Sequence, residues 1–147
     1  MARTLRTTIQ SLASHLETYG GLDYVHIGEP ARLPEGYTAV IQNIRVRSEM
    51  TTLSKTIETR TVSIRFYHMA VLDAPDPETE LMLGELVDEI IEDLLGDFDL
   101  GGTIRAIDPT GIEVDWGYQT IGSPGISFRV VTLNVPMIVD DSASFVK

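Results

Sequence analysis

The sequence predicts an α+β domain, a mostly antiparallel sheet flanked by two helices in the order α-β-β-β-α-β-β-β, with a long β-hairpin at about 37–70. Three observations carry that expectation. Two segments place apolar residues at helical spacing, most of the rest alternates with the period of a strand, and Gly/Pro clusters punctuate the joins. The 147 residues fit a single domain, 1–147, and a chain of that size buries roughly 68–70% of its unfolded surface. An apolar fraction of 43% with 22% charged residues is ordinary globular composition, so a disordered chain is excluded for most of the length.

Residues 3–18 read as the first helix, with Leu5, Ile9, Leu12 and Leu16 on one stripe and Gly20-Gly21 as the stop. A short strand follows at Tyr24-Val25-His26-Ile27. Gly28-Glu29-Pro30 and Leu33-Pro34-Glu35-Gly36 then form an irregular link, because proline cannot donate to a ladder. In the hairpin, residues 37–47 set Val40, Ile44 and Val46 on one face and Arg45 and Arg47 on the other. Residues 58–70 answer with Val62, Ile64, Phe66 and His68 against Thr61, Ser63, Arg65 and Tyr67. The threonine-rich stretch from Ser48 to Ile57 is expected to be a mobile tip.

Asp76-Pro77 opens the second helix, Asp as N-cap and Pro at the first helical position. Leu83, Leu86, Val87, Ile90, Ile91 and Leu94 form its core stripe, and Gly96 ends it. Three strands are expected after it, near 103–107, 111–121 and 126–139, the last two joined by Gly122-Ser123-Pro124-Gly125. In the middle one Ile112, Val114, Trp116 and Tyr118 alternate with Glu113, Asp115, Gly117 and Gln119. The last strand changes phase: Phe128 and Val130 share one parity, Val131, Leu133, Val135, Met137 and Val139 the other. Either a bulge near 130–131 flips the faces or the strand is buried on both sides, and Pro136 favours an edge or the end of regular pairing.

No constellation for catalysis emerges, so no enzyme and no cofactor is expected. His15, His26 and His68 have no partner at metal-ligand spacing, and no serine lies in a nucleophile-elbow context. Asp97-Phe98-Asp99-Leu100-Gly101-Gly102 lacks the oxygen ligands and terminal Glu of a calcium loop. Glu113 and Asp115 fall on a face that alternation predicts to be solvated. There are no cysteines, which removes disulfides and thiolate sites. No run suits a membrane span, and the basic start Met1 to Arg6 has no following apolar stretch of a signal peptide. A formal charge of -11 argues against a general DNA-binding module.

Charge placement is the informative feature. No Lys or Arg stands between Arg65 and Arg105, whereas half of the 22 acids do. On the second helix Glu85, Asp88, Glu89 and Glu92 fall at i, i+3, i+4 and i+7, opposite the apolar stripe. Each like-charge i, i+4 pair costs an isolated helix roughly 0.2–0.5 kcal/mol, so core packing must hold this one. Cations concentrate in the hairpin, at Arg45, Arg47, Lys55, Arg60 and Arg65. Glu85, Asp88, Glu89, Glu92, Arg45, Arg47, Lys55 and Arg60 are therefore the candidates for an oligomer interface or a lumen surface. Simple solvation of the acidic face is the competing explanation.

The first helix, the Val25-His26-Ile27-Gly28-Glu29-Pro30 strand and link, the long hairpin, the Asp76-Pro77 helix start and the closing Phe128-Arg129-Val130-Val131-Thr132-Leu133-Asn134-Val135-Pro136 strand together resemble the tail-terminator, or tail-completion, proteins of siphophages. The resemblance covers most of the chain and rests on element order and length. It implies a virion structural protein at the tail-head junction, made in the host cytoplasm. Such a protein forms a homo-oligomeric ring, a hexamer in the family, that caps the tail tube, ends its polymerisation and joins tail to head connector. Implied partners are further copies of the chain, the major tail tube protein and a head completion or connector protein, with DNA only as passing cargo and no membrane. Two other readings compete: a completion protein or adaptor docking its acidic helix on a basic partner, and a small ligand-binding or enzyme domain with a pocket scattered over His26, His68, Tyr67 and Trp116.

Overall fold

Both helices pack on one face of a six-stranded, mostly antiparallel sheet, so the chain is an α+β domain. The computed structural model describes residues 5–18, 21–28, 36–52, 55–69, 77–96, 106–122 and 125–141. The elements are α1 (Leu5–Glu17), β1 (Tyr24–Ile27), β2 (Thr38–Thr52), β3 (Lys55–Met69), α2 (Pro77–Gly96), β4 (Ala106–Ile107), a 3-10 turn (Pro109–Gly111), β5 (Glu113–Ile121) and β6 (Ile126–Asp141). Across the sheet the order is β1-β2-β3-β6, and β4 and β5 both pair with the far side of β6. Only β1 on β2 is parallel.

The core forms where two helical stripes meet the pleat. Ile9, Leu12 and Leu16 of α1 and Leu83, Leu86, Val87, Ile90 and Leu94 of α2 lie over Ile41, Val62, Ile64, Phe66, Val131, Leu133, Val135 and Met137. Truncating one such buried Leu or Ile to Ala typically costs about 2–5 kcal/mol. Thr18 closes α1, its hydroxyl donating to the His15 carbonyl at 2.6 Å. The α2 N-cap assigned to Asp76 lies outside the described residues, and Pro77 does begin the helix. Gly36 has a left-handed φ of 59°, and a Cβ there would strike the Asp23 carboxylate. That carboxylate accepts from the Tyr37 amide at 2.9 Å, which fixes the entry into β2.

Two expectations are corrected and two open alternatives are resolved. The bulge between Asn43 and Arg45 breaks the expected common face of Val40, Ile44 and Val46, so Val40 lies with Arg45 and Arg47 on the helix-free face and Val46 on the other. Residues 48–52 and 55–57 are paired strand and not a polar loop, and Leu53 and Ser54 lie outside the described residues. Strand pairing runs on through Ser48↔Glu58 and Met50↔Thr56 to Thr52↔Lys55. β-Branched Thr51, Thr52, Thr56 and Ile57 favour a pleated surface, and β6 supplies a second ladder from Thr56↔Asp141 inward. The phase change in β6 is not a bulge, since its register with β3 is continuous from Thr56↔Asp141 to Met69↔Phe128. The strand is buried on both sides instead: Phe128 and Val130 join Val40 and Tyr67 in a second cluster on the helix-free face.

Pro136 is not at an edge, since it pairs with Thr61 in the interior of the sheet. Its carbonyl accepts from the Asp108 amide at 3.0 Å, between the end of β4 and the start of β5. Nitrogen and carbonyl of one strand residue point the same way, so the missing N–H falls in that interruption and leaves the β3 ladder whole. Gly111 packs tightly there, since a Cβ would lie 2.6 Å from Pro136 Cγ.

Candidate functional site

Alternation fixes what each side of the sheet carries. Register places Gln42, Ser63, Asn134 and Glu113 in one row across four strands, and Val40, Arg65, Thr132 and Asp115 in the next, all on the helix-free face. Arg45 and Arg47 share that face at the hairpin end of β2 through their partners Thr61 and Thr59, and both are exposed. Glu85, Asp88, Glu89 and Glu92 are exposed on α2, which packs against the opposite face. The acidic helix and these hairpin arginines therefore look away from each other within one chain, with the sheet between them.

Arg60 departs from its expected place. It is buried at 8% exposure, on the helix side beside Met137, and donates to Glu58 from its Nε. Its Nη1 is buried without a hydrogen-bond partner among the described residues. The side chain of Lys55 lies outside the described residues.

The residues proposed for a scattered pocket are not brought together. Tyr67 and His26 belong to the helix-free face, Trp116 and His68 to the helix side. Tyr67 donates to Gln119 Oε1 at 3.0 Å and meets Phe128 edge-on. His68 meets Tyr37 in a tilted contact with ring centres 4.3 Å apart, and His26 stacks beside Tyr24. A shallow groove of about 430 Å³ runs over Arg65, Asp115, Gly117, Gln119, Val130 and Thr132, open to solvent. Among the described residues no group of three or more His, Asp or Glu gathers to hold a metal. None of their helices is long and apolar enough to cross a membrane. The Asp97–Gly102 segment lies outside the described residues.

One constellation was not foreseen. Arg129 on β6 donates to both carboxylate oxygens of Glu80 on α2, at 2.9 and 2.8 Å, and to the Gly117 carbonyl at 3.0 Å. Its guanidinium lies over Trp116 and Tyr118, 5.0 and 4.5 Å from the ring centres. The fork geometry suits a bidentate carboxylate, and the planar cation suits aromatic faces. The hydrogen bond from Arg129 holds the Glu80 carboxyl below its ordinary value, and the same bond raises Arg129. A separation of 49 residues hides this pair from local sequence patterns.

The sheet margins are the second feature that sequence did not reveal. β1 covers β2 only as far as Ile41, so from Gln42 onward the outer edge of β2 has no strand partner among the described residues. The outer edge of β5 is likewise unpaired. On the β2 edge, Ile44 and Val46 are 51% and 49% exposed and alternate with Arg45 and Arg47. On the β5 edge, Val114, Trp116 and Tyr118 are 36%, 42% and 64% exposed and alternate with Glu113 and Asp115. Apolar alternation in β5 reads in sequence as a core face, yet Val114, Trp116 and Tyr118 all stay open to solvent. Long edges with exposed apolar side chains are templates for pairing with another chain. No protein-family model and no curated protein matches this chain.

Proposed function

We propose that this protein is a virion structural component of the tail-terminator kind. It assembles as a ring on the tail tube, ends tube polymerisation and joins the tail to the head connector. The observation that carries the assembly step is the pair of open sheet edges, one apolar and cationic, the other apolar and anionic, at opposite margins of one sheet. Complementary edges on one chain favour head-to-tail contacts, and such contacts close into rings when the rotation permits. The sequence resemblance supplies the tail tube and head connector as partners, and DNA as passing cargo.

Disrupting the gene in the particle that carries it tests this role. The expected result is tails of uncontrolled length with unattached heads, restored by supplying the intact chain. Normal tails joined to heads without the protein would contradict it. A second reading is favoured by the exposed acids of α2: an adaptor that docks this helix on a basic partner. Replacing Glu85, Asp88, Glu89 and Glu92 by Lys then abolishes partner capture but leaves self-association intact.

A further inference from the structure

We infer that the outer edge of β5 in one copy pairs antiparallel with the outer edge of β2 in the next, continuing the sheet from subunit to subunit. This rests on the ring-forming reading and specifies its seam. Strand direction supports it first. β2, β3, β6 and β5 alternate in direction across the sheet, so a neighbour's β2 placed beside β5 with its helices on the same side is antiparallel to it.

Side-chain chemistry supports it second, and it selects a register. Setting Arg45 opposite Asp115 also sets Arg47 opposite Glu113, Val46 opposite Val114 and Ile44 opposite Trp116. In that register both ion pairs fall on the helix-free face, where register places all four charged residues. Val46, opposite Arg60, and Val114 and Trp116, opposite Leu133 and Val131, lie on the helix side, where the exposed apolar side chains cover one another. Ile44 joins them at the bulge between Asn43 and Arg45. A shift of one residue would set charge against apolar side chain on both faces. Two β2 edges, or two β5 edges, would set like charges together, so the pairing is between unlike edges and head-to-tail.

β1 bounds the seam. It ends at Ile27 opposite Ile41, and the Gly28 amide donates to the Ile41 carbonyl at 2.8 Å. Because the bulge sets Asn43 and Ile44 together against Trp116, Gln42 falls against Gly117 as the last open rung, and Tyr118 to Ile121 must veer from the neighbour's β1. Backbone hydrogen bonds and apolar cover supply the affinity, whereas the two ion pairs fix register and partner orientation.

The absence of native cysteine makes the test direct. A chain carrying both Val46→Cys and Val114→Cys is assembled, oxidised and run on a non-reducing gel, beside each single variant and a Val46→Cys/Thr120→Cys control. The seam predicts a ladder of covalent multimers from the first chain alone. Covalent dimers from either single variant would mean like-edge pairing and overturn it. Wild-type multimers in sedimentation without any ladder would refute the seam while leaving ring formation standing. A wild-type monomer at every concentration would refute both. In parallel, Arg45→Glu or Asp115→Arg alone should weaken association about tenfold, and the two together should restore it. Absence of that rescue would overturn the assigned register.

Discussion

Arg129 ties together α2, β5 and an aromatic pair, so its removal acts on more than one charge. Arg129→Ala strips the cation from Trp116 and Tyr118 and leaves Glu80 and the Gly117 carbonyl without their donor. From a charge-assisted hydrogen bond and exposed cation–π contacts, the loss in unfolding free energy should be about 1.5–3 kcal/mol by denaturant titration. Lys at this position should not restore it, because an ammonium cannot fork to both oxygens of Glu80. Glu80 is half exposed, so Glu80→Gln should cost less than about 1 kcal/mol. Its folded carboxyl is held below the ordinary 4.5, so the pair's contribution is complete above that value. It is lost as pH falls through the depressed folded value. Stability curves of wild type and Glu80→Gln should therefore differ at neutral pH and converge in acid; a constant offset down to the acid limit would contradict the pairing.

Element by element, the local signals worked where burial is one-sided. The α1 and α2 stripes and the Pro77 start follow from periodicity, because each helix buries one face; in β2 the bulge between Asn43 and Arg45 breaks it, so Val40 lies with Arg45 and Arg47 and not with Val46. β6 lies between β3 and β5 and, like β2 and β3, is buried on both faces, so its parity change signals two cores and not a bulge. The hairpin tip misled because threonine reads as polar loop, while its β-branching and a third strand extend the ladder. On α2 the acidic face was legible and is exposed as expected. Its last turn holds no basic residue to offset the dipole. Glu92→Lys should thus stabilise the protein by about 0.5–1 kcal/mol, since it follows Asp88 at i+4 and lies near the helix C-terminus. Thermal melts at low and high salt measure this; a destabilised variant would mean that Glu92 already has a cationic partner in the assembled protein.

For the whole molecule, the sequence conveys charge segregation but not its geometry, because sidedness follows from long-range strand order. With order and register in hand, the arginines at 45 and 47 face away from α2, and the acids nearest them in chemistry are Glu113 and Asp115 on the far edge. If sheets join edge to edge, all α2 helices lie on one side and their acids form a continuous negative surface. That surface would repel passing DNA, as a channel wall or an outer rim must if it is not to bind it. The central claim is self-assembly into a closed ring. Sedimentation equilibrium over a wide concentration range tests it most directly. The account predicts a single discrete multimer of the 16.2 kDa chain in equilibrium with monomer, with closure that does not grow into longer species. A mass fixed at one chain throughout, or a distribution that lengthens without limit as concentration rises, would contradict it.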